Sequence, residues 1–324
     1  MKLRLLTLFT LAGIAFSANA QDPQFSQFYA NPIYTNPAFA GSECGRIVMN
    51  YRNQWPSLPG TFVTYNASYD QRIKKIGGGL GFMATVDQAG EGRLTATHLS
   101  AIYAYELEAT RELTFRFGIQ ASYVEKKIDF SKLRFGDQIK AREGFVLNTN
   151  EPFISAPVRF PNFGAGLLAY TQKFYAGFAA HNITQPNQSF YGSNLAGTSL
   201  PMRYTLHSGL VIPLDGNKRN PESTISPNIL IMSQAKFNQV NVGFYLNKGP
   251  LVSGLWFRQT QPTSDALLVL LGFRQNNFKF GYSYDITVSS ARSAAPGSHE
   301  VSAGYLFCAS RQVVRYKKLS CPDF

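Results

Sequence analysis

Between residues 46 and 309 the chain is written almost entirely in period two. Phe115, Phe117, Ile119, Ala121 and Tyr123 alternate with Arg116, Gly118, Gln120 and Ser122. Val240, Val242, Phe244 and Leu246 alternate with Gln239, Asn241, Gly243 and Tyr245, and Phe278, Phe280, Tyr282 and Tyr284 with Lys279, Gly281, Ser283 and Asp285. Such alternation is the mark of a strand with one apolar face and one small or polar face. It predicts fourteen strands, near 46–55, 61–72, 76–87, 93–108, 111–128, 159–171, 173–183, 200–214, 223–235, 237–247, 250–260, 265–275, 277–289 and 298–309. Their connections sort by parity. The long stretches 129–158 and 184–199 and the medium one 290–297 follow odd strands, whereas most connections after even strands are a few residues. Short turns at one end and long loops at the other are the asymmetry of an outer-membrane β-barrel, with the short side periplasmic. A large antiparallel sandwich would also alternate, but it has no reason to segregate loop lengths. An even strand number brings both ends of the barrel to the short-turn side. The prediction is an all-β protein: one antiparallel transmembrane barrel of about 14 strands.

Composition agrees. Charged residues make up 15%, against ~25% in ordinary globular chains, and aromatic residues 14%. Beyond the first residues no apolar run approaches the ~20 needed for a membrane helix, so a helical membrane protein is excluded. Residues 1–20 read as a secretory leader. Lys2 and Arg4 precede an apolar run from Leu5 to Phe16, and Ala18-Asn19-Ala20 forms a small-residue cleavage site. The exported chain would begin at Gln21, with 29 Lys and Arg against 19 Asp and Glu, or about +10. These cations are dispersed and no recognition motif accompanies them, so nucleic acid is not an expected partner. Anionic lipid heads of the membrane, or an acidic protein, fit better.

Residues 21–45 stand apart from the strands. Asn31-Pro32 and Asn36-Pro37 lie five residues apart, with Phe25, Phe28, Tyr29, Tyr34 and Phe39 threaded among them. Proline removes backbone donors and steers the preceding residue away from helix, so this segment can extend neither a helix nor a ladder. Five rings left in water are costly, so the segment is expected to pack against or within the periplasmic end of its own barrel. A basic tail, 310–324, follows the last strand, and Phe307 could mark that strand's end.

The elements Phe25-Ser26-Gln27, Asn31-Pro32 and Asn36-Pro37-Ala38-Phe39-Ala40-Gly41 resemble, in order and spacing, the N-terminal signature of the PorP/SprF family. These are outer-membrane components of the type IX secretion system of Bacteroidetes. The resemblance implies a non-enzymatic barrel in the cell outer membrane. It also implies partners: exported cargo with a C-terminal sorting domain, such as gliding adhesins, and periplasmic secretion or peptidoglycan-linked components. Composition alone implies none of this. A second reading is a passive channel for hydrophobic or small solutes, because such transporters also use fourteen-stranded barrels.

The remaining chemistry candidates are few. Cys44, Cys308 and Cys321 would meet an oxidising compartment, where pairing is the default. Closure makes the first and last strands neighbours, so Cys44 can approach Cys308 or Cys321; three unpaired, apolar thiols are the alternative. No Cys/His pair has metal-ligand spacing, and no cofactor is implied. His98, His181, His207 and His299 are scattered and fit polar lumen or strand-end positions better than an outer-face lipase site. Gly77-Gly78-Gly79-Leu80-Gly81 lacks the Lys-Ser/Thr and helix of a phosphate loop, and suits a bend or the close packing of an inserted segment. Loop 129–158 interleaves charge with aromatics, and Arg134, Phe135, Phe145 and Phe153 are its candidate docking residues.

Overall fold

A computed structural model of the chain describes residues 22–90, 94–151, 156–191, 198–216, 222–261, 264–289 and 297–307. The leader, the tail 310–324, Phe153, Cys308 and Cys321 lie outside the described residues. Fourteen antiparallel strands form one closed ring. The first half comprises β1 (Gly45–Gln54), β2 (Phe62–Ile73), β3 (Gly78–Ala89), β4 (Leu94–Glu108), β5 (Thr114–Lys127), β6 (Val158–Tyr170) and β7 (Phe174–His181). The second half begins with β8 (Arg203–Leu210, continued by Ile212–Pro213) and β9 (Ser223–Gln234). It goes on through β10 (Phe237–Lys248), β11 (Leu251–Gln261), β12 (Ser264–Gln275), β13 (Phe278–Thr287) and β14 (Gly297–Leu306). Neighbours in sequence pair throughout, and β1 pairs with β14 from Arg46↔Leu306 to Gln54↔Ser298. Closure abolishes the unpaired edge. The parity of the connections holds: residues 128–157 and 182–202 follow β5 and β7, while 74–77, 109–113 and 171–173 follow β2, β4 and β6.

Which way the side chains face decides between barrel and sandwich. Phe117, Ile119, Val242, Phe257, Leu271 and Phe280 point outward, with Ile119 and Leu271 each 62% exposed. On the same strands Arg116, Gln239, Asn241, Arg258 and Asp285 point inward and are buried. The polarity is inverted relative to a soluble protein, which hides its apolar face. Bilayer outside and polar lumen inside account for it. Among the described residues no helix is long and apolar enough to cross a membrane.

The lumen is not empty. Residues 22–44 fill it as an irregular chain containing a one-turn helix (Pro32–Thr35) and a 3-10 turn (Pro37–Phe39). Each Asn-Pro pair starts one of these turns: Asn31 and Asn36 are the caps and Pro32 and Pro37 the first helical residues, where a missing N–H is harmless. Phe25, Phe28, Tyr29, Ile33 and Phe39 are all buried against the wall or each other. The expectation that the segment stays at the periplasmic end needs correction. It spans most of the lumen, because the wall offers apolar and polar partners along its whole length.

Candidate functional site: the filled lumen and the outer loops

Three sets of contacts hold the family-motif part of the segment. In the long-loop half, Ser26 meets a buried ionic network on β1, β11, β13 and β14. Its backbone N–H donates to Glu300 Oε2 (2.6 Å) and its hydroxyl to Asp285 Oδ2 (2.6 Å). Arg52 bridges Asp285 (2.8 Å) and Glu300 (3.2 Å), and Arg258 reaches Asp285 at 2.9 Å. Gln27 extends the clasp: its N–H donates to Glu300 Oε1, its amide donates to Glu300 O, and its carbonyl accepts from Ser302. Two cations and two anions so enclosed balance in charge, which buried ions require.

The middle set is aromatic. Phe28 packs edge-on against Trp256 at 5.5 Å between ring centres, and Tyr29 against Tyr245 at 5.4 Å. The Tyr29 hydroxyl bonds that of Tyr175, which donates to Asn228 Oδ1. Edge-to-face packing with a hydrogen-bonded hydroxyl suits Tyr29, a ring that must be both packed and polar at one end.

The third set surrounds the second Asn-Pro pair. Asn36 Nδ2 donates to the backbone carbonyls of Leu167 (3.1 Å) and Phe178 (3.2 Å), and lies 3.1 Å from His207 Nε2. Its Oδ1 accepts from Ala38 N at 2.9 Å. Arg116 donates to Ala38 O (2.9 Å) and Ala40 O, and Asp70 accepts from Gly41 N (2.8 Å) while paired to Arg46. Glycines in the wall make the space. An added Cβ at Gly118 would come within 3 Å of the Pro37 and Ala38 backbone, one at Gly166 would strike Asn36, and one at Gly281 would lie 2.6 Å from Gln27 Oε1. At Gly79 it would strike the Ala40 and Gly41 backbone, so the glycine run of β3 serves the close approach of the segment.

The motif residues therefore converge on the wall, with one exception. The Asn31 amide is buried and has no hydrogen-bond partner among the described residues. The wall partners Arg52, Asp70, Arg116, Arg258, Asp285 and Glu300 were not singled out from the sequence. Their signal was charge at inward strand positions. Spaces left beside Asp22 and beside Gln27 measure about 40 Å³ each, room for about three waters. His98 and His181 line the former, His207 lies against Asn36 and Phe39, and His299 bonds the Tyr282 hydroxyl.

The two long loops differ. In 128–157 a small hairpin pairs Ile139–Lys140 with Gly144–Phe145, and Arg134 stacks over Phe145 at 5.2 Å. Phe135 N donates to Gln138 Oε1. Phe145, Val146 and Leu147 are exposed side by side. The Ser131 hydroxyl beside Asp129 holds that carboxyl below its ordinary range. Loop 182–202 instead folds back over the lumen: Leu200 is buried against Val124 and Phe160, and Gln188 accepts from Lys126.

At the opposite end, Cys44 O accepts from Arg72 N, and Phe307 N donates to Gly45 O at the seam. Phe307 follows the last residue of β14 and stacks on Tyr69 at 5.7 Å.

A family model described as type IX secretion system membrane protein PorP/SprF matches residues 17–305, which takes in the segment and the whole ring. The chain belongs to the PorP/SprF family. Among solved structures it is similar to the CymD monoaromatic hydrocarbon channel, at 12% identity and TM-score 0.51, covering 87% of this chain and 94% of that one. It is equally similar to the P. putida toluene transporter TodX, at 10% identity and TM-score 0.51, covering 85% and 94%. At such identities the likeness concerns the fold alone. No curated protein matches the chain. This family member is thus an outer-membrane barrel of the type IX secretion machinery, with the membrane and the secretion system as its partners, and its family and fold point to a structural or transport role.

Proposed function

We propose that this chain is a plugged docking barrel: its outer loops engage exported cargo carrying a C-terminal sorting domain, and its periplasmic end engages secretion or peptidoglycan-linked components. One observation carries the reading. The lumen is occupied along its length by residues 22–44, tied to the wall at Glu300, Asp285, Leu167, Phe178 and Arg116. A barrel so filled works through its surfaces. Arg134, Phe135 and Phe145 on loop 128–157, with the exposed Val146 and Leu147, offer cargo an apolar and cationic face, the composition favoured at interface cores; Phe153 is the fourth docking candidate. The contrasting reading is a channel for small or hydrophobic solutes; CymD is named as a monoaromatic hydrocarbon channel and TodX as a toluene transporter.

Two measurements separate them. In planar bilayers the purified protein is expected to be silent, whereas steady single-channel conductance would favour the channel. Affinity capture from solubilised outer membrane is expected to bring down sorting-domain cargo, and to lose it when Arg134, Phe135 and Phe145 are changed together to Ser. Unchanged capture by that variant would remove the loop from the docking role.

A further inference from the structure

The segment joins β1 at the short-turn end, yet its other described end lies at the opposite mouth. Asn182 Nδ2 donates to Asp22 Oδ2 at 2.8 Å, Arg203 Nη1 lies 3.5 Å from the same oxygen, and Asp22 N donates to Gln234 Oε1 at 3.1 Å. Asn182 directly follows β7, Arg203 opens β8 and Gln234 closes β9, so all three mark the long-loop end. From Asp22 the chain descends past Ser26, beside Arg52 and Asp285, to Tyr29, beside Tyr175 and Tyr245 in the short-turn half. The one-turn helix carries it back up, where Arg203 sits over the Tyr34 ring at 5.1 Å and His181 Nε2 lies 3.4 Å from Thr35 O. It then descends a second time through Asn36 to Gly41.

We propose that this segment crosses the plane of the membrane inside the lumen and presents its leading end on the cell-surface side, beside loop 182–202. The proposal rests on the long loops facing outward, as the docking reading does. Asp22 is thus the described residue of the segment that stands at the long-loop mouth. A partner seated on the outer loops would then touch the same peptide that, at its other end, enters β1 beside the seam.

Surface labelling tests this in intact cells with a membrane-impermeant PEG-maleimide. Gln21→Cys is compared with the wild type, whose own cysteines set the background, and with Asn148→Cys on the exposed part of loop 128–157. Labelling of Gln21→Cys in intact cells, to the extent seen for Asn148→Cys, is expected. Labelling of Asn148→Cys alone would overturn the proposal while leaving the orientation intact. Labelling of both only after permeabilisation would overturn orientation and proposal together. Should Gln21→Cys fail to assemble, a FLAG epitope inserted between Gln21 and Asp22 gives the same readout with antibody. Epitope accessible only in permeabilised cells would again refute it.

Discussion

Gly118→Leu should drive the second Asn-Pro turn out of its groove while leaving the barrel closed. Gly118 faces inward on β5, and a Cβ there would come within 3 Å of three backbone atoms of Pro37 and Ala38. Backbone cannot rotate aside as a side chain can, so wall or segment must shift. Overpacking by one methyl typically costs about 1–3 kcal/mol. Releasing the turn costs more. Phe39 loses its burial, about 1.5–3 kcal/mol, and Arg116 loses its bonds to Ala38 O and Ala40 O, about 1.5–3 kcal/mol each. Gly118→Ala should therefore keep the segment seated but strained. Leu cannot share the groove and should displace it locally. The strand ladders of β5 with β4 and β6 involve backbone only and should survive, so the heat-modifiable gel shift of a folded barrel should persist. Limited proteolysis should then cut after Phe39, a site protected in the wild type, and bilayers should show intermittent conductance. Gly304→Ala is the control: it also faces inward, but its Cβ would meet Lys279 Cβ at an ordinary 3.6 Å. A Gly118→Leu protein that stays protected and silent, or a Gly304→Ala protein that behaves like it, would refute the groove.

The other expectations are simpler. Phe117→Arg and Phe280→Arg place a charge on the lipid face at a cost of about 2–4 kcal/mol near the midplane and should lower assembly yield, whereas Gln120→Arg, directed into the lumen, should be mild; equal yields would reverse the assignment of faces. Asp285→Asn removes the anion shared by Arg52 and Arg258 and should destabilise the clasp by about 3–5 kcal/mol, read as early proteolysis near Phe25 and Phe28. Cys44 should be oxidised, with Cys308 or Cys321 as partner, because it precedes β1 at the seam that β1 forms with the last strand. Non-reducing digestion with mass spectrometry decides this, and alkylation of all three native thiols in intact outer membrane would sink it.

The strands were legible because a two-sided wall between lipid and polar lumen imposes period two on nearly every residue. Loop parity was legible because it depends only on chain order. Depth was not. Alternation says which face a residue occupies but not how far along the lumen a non-repeating peptide runs, so Asp22 was expected at the wrong mouth. Nor were the clasp partners legible, since Ser26 and Glu300 meet across 274 positions and leave no local pattern. The difference between the two long loops had no local signal: both mix polar residues with scattered apolar ones, and the burial of Leu200 became clear only against Val124 and Phe160.

Wall and segment also explain each other. Glycine inside a strand forfeits packing and backbone entropy, so a water-filled channel would gain nothing from Gly79, Gly118, Gly166 and Gly281. Each faces a different part of the segment: the Ala40-Gly41 backbone, the Pro37-Ala38 backbone, the Asn36 amide and the Gln27 amide. Spread over β3, β5, β6 and β13, they follow one irregular peptide rather than a single sheet feature such as a bulge. The clasp is matched in the same way. Glu300 accepts two backbone N–H groups that only a non-strand peptide leaves free. A leader that ordered only on meeting a periplasmic partner would need no cavities cut to its shape along the whole lumen. The wall is built around residues 22–44, which makes them a resident part of the folded barrel.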